Sequence, residues 1–181
     1  ERFRLQPRFA AQILKKGDET YVSFAGTDCL LDWVENAEQC FGRLPPQYVL
    51  AAELLRLVIY KAKGVVHVIG HSEGGGEVQY ALLKNKSICK ERAFGCTFNS
   101  QRLSSKILNA FDKETQEAVE RVMVNFRIPW DVVSGWRPLG VHLLGPVLDF
   151  HGKWEPKNLM GVLGAKVAHS IGSFARIMAQ K

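Results

Sequence analysis

Hydrophobic and polar positions along the chain change period several times, and each change marks an element. Residues Ala11-Gln12-Ile13-Leu14 and Thr20-Tyr21-Val22-Ser23-Phe24 read as two strands, joined by a turn through Lys15-Lys16-Gly17-Asp18-Glu19. Gln47 to Ala62 follows a helical period, with Val49, Ala52, Leu55, Leu57 and Ile59 as its expected core stripe and Pro45-Pro46 at its start. A run of β-branched and apolar residues, Val65-Val66-His67-Val68-Ile69 between Gly64 and Gly70, predicts a strand buried on both faces, as in a parallel sheet. Further helices are predicted at about Leu30 to Cys40, Ser72 to Asn85, Leu103 to Val119 and Ser170 to Gln180. Ala93 to Phe98 and Arg121 to Phe126 complete the strands, and Val141 to Phe150 reads as an edge hairpin or loop. Strands alternating with helices predict one α/β domain over residues 1–181: a compact, mostly parallel central sheet with helices on both faces.

Composition narrows the field. The 181 residues are 46% hydrophobic and 23% charged, which suits one globular domain and argues against disorder. The net charge of +6 favours anionic surfaces, but the basic residues are scattered, and a nucleic-acid-binding role is not expected. Charged residues such as Lys84 and Lys106 interrupt every apolar stretch, so no membrane span is predicted. Cys29, Cys40, Cys89 and Cys96 lack zinc-like spacing and read as buried free thiols, with a Cys89–Cys96 bridge as the alternative; no metal site is expected. Glu1-Arg2-Phe3-Arg4 carries neither an initiator Met nor a signal-type apolar region, so the chain reads as processed or cut from something longer.

The chemistry concentrates in Gly70-His71-Ser72-Glu73-Gly74, a Gly-x-Ser-x-Gly sequence between a predicted strand and a predicted helix. A chain that reverses this tightly forces strained backbone angles on the serine, and side chains at Gly70 and Gly74 would collide. Ser72 would thus stand above the carboxyl edge of the sheet, near helix N-terminal amides able to stabilise a developing oxyanion. Neither a phosphate loop, which needs Gly-Lys-Ser/Thr where Gly76-Glu77 stands, nor a dinucleotide fingerprint fits this spacing.

A nucleophilic serine needs a histidine base held by a carboxylate, in the chain order Ser, acid, His. Asp131 follows the strand ending near Phe126 and is the preferred acid over Asp112 and Asp149. His67, in the predicted strand, reads as a core histidine, and His71 as part of the turn. His169 is preferred as base over His151 and His142 because a base on the final loop could drop over the serine.

These residues give the chain a resemblance to class 3 (triacylglycerol-type) lipases and bacterial phospholipase-like α/β-hydrolases, over about Tyr21 to Phe174. The similar blocks are Val22 to Asp28 followed by Asp32-Trp33 and Asn36, the Gly70 to Gly75 turn, Pro129-Trp130-Asp131-Val132-Val133, and His169-Ser170 through Phe174. The chain departs from the family pattern at Glu73, where an apolar residue is usual, and at Trp130, where a small one is. The resemblance implies Ser72 as nucleophile, Asp131 as orienting acid, His169 as general base, and the N–H groups of Thr27 and Glu73 as oxyanion hole. It also implies an acyl-enzyme mechanism on lipid esters, without cofactor or metal, of lipase or phospholipase A1 type. A small-molecule carboxylesterase or thioesterase and an inactive protein-interaction module are the alternatives. The segment from Trp136 to Trp154 is the candidate cover for the site, or an ordinary apolar edge of the core. Expected partners are an ester substrate and, transiently, an anionic membrane surface. The size and lipase-like blocks also fit a secreted or bacterially delivered effector domain, peripheral at membranes, with a neutralising partner protein.

Overall fold

The computed structural model describes residues 2–6, 9–26, 43–89, 91–129, 131 and 140–151. The expected helices over 30–40 and 170–180, and residues 136–139 and 152–154 of the 136–154 segment, lie outside the described residues.

Three strands open the chain: β1 (Arg2–Gln6), β2 (Phe9–Lys16) and β3 (Glu19–Phe24). The predicted hairpin is present, with Ile13 opposite Val22 and Gly17 at a positive φ of 60° in the turn. Helix α1 (Pro46–Lys61) leads into β4 (Val66–His71), helix α2 (Glu73–Cys89) and β5 (Ala93–Phe98). The short β6 (Leu103–Ser104), helix α3 (Ser105–Leu108), helix α4 (Lys113–Glu120), β7 (Met123–Arg127), β8 (Val141–His142) and β9 (Val147–Asp149) follow.

The main sheet has the order β1-β2-β3-β4-β5-β7-β9, antiparallel from β1 to β3 and parallel from β3 to β9. The mostly parallel α/β architecture predicted from the alternation of elements is the one observed. Val22, Val68, Gly95 and Met123 form one row across it. Any side chain on Gly95 would strike Leu82 and Val78 of α2, so this row faces that helix. Helix α1 packs on α2 in turn, and the buried Asn85 amide ties them by donating to the carbonyls of Ala52 and Ala81, both at 2.8 Å.

Four local expectations change. The core stripe of α1 runs through Tyr48, Ala52, Leu55 and Ile59, while Val49 and Leu57 are 45% and 49% exposed. The spacing of four, three and four keeps one helical face, and Val49 and Leu57 fall off it. The single helix predicted from Leu103 to Val119 is two, because two residues cap: the Ser104 hydroxyl accepts from the Ile107 N–H at 3.3 Å and Asp112 from the Thr115 N–H at 2.7 Å. Residues 141–150 form no hairpin: β8 pairs antiparallel with β6 in a separate two-stranded sheet, whereas β9 extends the main sheet parallel to β7. Finally, β4 alternates, burying Val66, Val68 and Gly70 but leaving His67, Ile69 and His71 half-buried. His67 stacks on Tyr21 with ring centroids 4.7 Å apart rather than lying in the core. Cys89 and Cys96 are free thiols, both raised to a pKa of about 11 by burial.

Candidate active site

Ser72 is the single residue between β4 and α2, and its φ of 58° lies in the left-handed region that costs a non-glycine residue of order 1–2 kcal/mol. Three backbone hydrogen bonds hold it there. Its N–H donates to the Phe98 carbonyl at 3.1 Å, and its carbonyl accepts from the N–H groups of Gly75 at 3.0 Å and Gln101 at 2.9 Å. The glycines around it are places of close backbone approach. A Cβ on Gly74 would come within 2.5 Å of the Phe24 carbonyl oxygen, and one on Gly70 would collide with the Gly74 carbonyl. The segment leaving β3 also touches the turn, since a Cβ on Gly26 would lie 3.1 Å from the Ser72 Cβ.

Asp131 lies beyond the carboxyl end of β7, the same sheet edge as Ser72, and is 1% exposed. Its loop is linked to the serine through the neighbouring strand. Asn99, with φ of 43°, donates its N–H to the Phe126 carbonyl at 2.9 Å and accepts the Ile128 N–H on its side-chain oxygen at 2.9 Å. The Ile128 carbonyl then accepts the Asp131 N–H at 2.9 Å. The other acid candidates are engaged elsewhere. Asp112 caps α4, and Asp149 forms a two-pronged ion pair with Arg127, both contacts at 2.7 Å. Among the histidines, His142 is exposed and within 3.0 Å of the Ser105 hydroxyl, and His151 is exposed. His169 and Thr27 lie outside the described residues.

Glu73 opens α2 and is 4% exposed, its carboxylate accepting a 2.6 Å hydrogen bond from the Gln47 amide at the start of α1. Its side chain is thus directed at the neighbouring helix. One turn further on, Glu77 is 1% exposed with its Oε2 unpartnered, and burial, reinforced by the Glu73 charge, pushes its pKa up to about 9. Gln79 is equally buried and braces the wall: its amide nitrogen donates to the Ser100 hydroxyl at 3.1 Å and the Gln101 carbonyl at 3.0 Å, while its oxygen accepts the Leu144 N–H at 3.0 Å. Sequence reasoning passed over Gln47, Glu77, Gln79 and Asn99. The available signal was three polar side chains, Glu73, Glu77 and Gln79, in the first two turns of a helix packed between another helix and a sheet. Among the described residues no cluster of His, Cys, Asp and Glu could hold a metal ion, and no helix is long and apolar enough to cross a membrane.

The model of the Tle-like phospholipase domain matches residues 4–178. The chain belongs to this phospholipase-like family. Its fold is that of solved lipases. The Rhizomucor miehei lipase, in its propeptide complex, matches with a TM-score of 0.56 at 16% identity, covering 83% of this chain and 55% of that one. A fungal lipase structure gives a TM-score of 0.58 at 18% identity, with 87% and 64% covered. A mutant form of MDLA from Penicillium cyclopium gives 0.58 at 15% identity, with 83% and 63% covered. This Tle-like chain therefore spans a little over half to under two thirds of those proteins. No curated protein matches the sequence.

Proposed function

We propose that this Tle-like domain is a serine hydrolase that cleaves the carboxylic esters of phospholipids through Ser72, His169 and Asp131. The observation that carries the reading is Ser72, held at a strained φ of 58° between a parallel strand and a helix N-terminus, with a buried carboxylate at the same sheet edge. Strain of this kind persists only where surrounding structure enforces it, and it presents the hydroxyl above the sheet rather than in the core.

In the proposed cycle Ser72 Oγ attacks the ester carbonyl while His169 takes its proton. Asp131 holds the imidazole and stabilises the imidazolium that forms. The tetrahedral oxyanion is met by the N–H groups of Glu73 and Thr27, each such donor being worth about 2.7–4 kcal/mol of barrier. Collapse expels the lysolipid alcohol with the proton returned by His169. Water, activated by the same base, then frees the fatty acid. Glu73 does not oppose this chemistry as an unheld charge, because its carboxylate is bonded to Gln47. The net charge of +6 would concentrate the domain on anionic lipid surfaces. Delivery to target membranes as an effector, with a neutralising partner protein, belongs to the same proposal.

Incubation with vesicles of phosphatidylglycerol and phosphatidylethanolamine, followed by mass spectrometry of the lipids, tests it. Equimolar fatty acid and lysolipid, both abolished by Ser72→Ala, are expected. Hydrolysis of p-nitrophenyl acetate but of no vesicle lipid would favour a small-molecule esterase, and no Ser72-dependent hydrolysis of either would remove the enzyme reading.

A further inference from the structure

The second half of α1 and the hairpin of β2 and β3 meet along a groove of about 570 Å³, a volume within the range of small-molecule sites. It lies away from Ser72: Thr20, which lines it, is at the start of β3, whereas Phe24, whose carbonyl adjoins the Ser72 turn, is at the end. The floor is apolar, with Ile13 from β2, Leu54 and Val58 from α1, and Ala62 just beyond. Leu14 and Leu57 also line the groove but are 55% and 49% exposed, so two leucines stay in water that a ligand would cover. Its charged residues are Lys15 and Lys61, and among the described residues no carboxylate lines it. Both lysines are exposed, and neither forms an ion pair among the described residues. The one carboxylate of α1, Glu53, is bonded to Arg56 at 2.9 Å.

We propose that this groove binds the anion of a long-chain fatty acid, with the alkyl chain on the apolar floor and the carboxylate met by Lys15 and Lys61. Two separate features select that chemistry. The apolar floor and the uncovered leucines select a hydrocarbon chain, and two cations with no carboxylate among them select a negative head. Lysine suits such a place because its stem packs on apolar surface while its ammonium reaches the rim. The source of the ligand rests on the Ser72 hydrolase reading, since a fatty acid is what that reaction releases; the binding itself does not. The groove would then hold released product outside the catalytic centre.

Titration of the whole chain with laurate below its micelle concentration, followed by amide chemical shifts, tests the proposal. Shifts at Ile13 to Thr20 and Leu54 to Ala62 are expected. Uncharged dodecanol and the short butyrate, which lack the head and the chain respectively, should each bind about tenfold more weakly or less well still. Replacing both cations, Lys15→Gln with Lys61→Gln, should weaken laurate about tenfold and leave dodecanol unchanged. Leu57→Asp, at an exposed position, should weaken both ligands about tenfold or more. All three substitutions lie outside the proposed catalytic residues, so ester hydrolysis and Tm should match wild type. No laurate binding, shifts confined to the turn around Ser72, or equal affinity in wild type and the groove variants would overturn the proposal. If laurate binds in the groove while no ester is hydrolysed, the site stands and only the hydrolase reading falls.

Discussion

At neutral pH the fold keeps Glu77 protonated, so replacing it with glutamine should stabilise the protein in a manner that grows with pH. The carboxyl moves from an ordinary value of 4.5 to about 9 because it is buried beside the Glu73 charge. Below pH 4.5 both folded and unfolded chains carry the proton, and the group leaves stability untouched. Between pH 4.5 and about 9 the unfolded chain releases the proton while the folded chain keeps it, so stability is lost at about 1.4 kcal/mol per pH unit. At pH 7.5 the accumulated loss is about 4 kcal/mol, an upper limit on the gain from Glu77→Gln because the buried amide must also be desolvated. For a chain of 181 residues, each kcal/mol corresponds to about 2–4 °C in Tm. Thermal unfolding of wild type and Glu77→Gln at half-unit steps from pH 5 to 8.5 measures the difference directly. The variant's advantage should widen by about 3–5 °C per pH unit. A difference that stays constant, or shrinks as pH rises, would refute the assignment of Glu77 as a buried neutral acid.

Other residues give sharp expectations. Asp131→Asn should lower kcat by about 10³–10⁴-fold while leaving Tm near that of wild type, measured by ester hydrolysis and calorimetry. Gly74→Ala sets a Cβ 2.5 Å from the Phe24 carbonyl oxygen, which is backbone and cannot swing away. It should cost about 1–3 kcal/mol in urea unfolding and reduce the yield of active enzyme. Asp149→Asn removes the partner of Arg127 at the sheet's end, and with the Asp149 side chain one-third exposed the loss should be about 1–2 kcal/mol without a change in kcat.

What the sequence disclosed was set by how local each feature is. The hairpin around Gly17, the β-branched strand before Gly70 and the strand-to-helix turn at Ser72 depend on near neighbours, and their patterns were readable. The break between α3 and α4 was also local, but Ser104 and Asp112 act as caps rather than as helical surface, a distinction that composition does not make. The position of β9 was not readable because it depends on Asn125, whose amide donates to the Leu144 carbonyl at 2.7 Å, and on the Arg127–Asp149 pair 22 residues apart. Likewise, Glu73 reads in the sequence only as a departure from the family pattern; its contact with Gln47, 26 residues away, comes from the packing of α1 on α2.

Covalent labelling tests most directly whether Ser72 is the reactive group. Treated with a lipid-like fluorophosphonate and digested, the protein should carry one adduct, on the peptide containing Ser72. Labelling should vanish in Ser72→Ala and slow markedly in Asp131→Asn. A protein that hydrolyses phospholipid vesicles while its adduct sits on another residue, or while Ser72→Ala labels at the wild-type rate, would contradict the account.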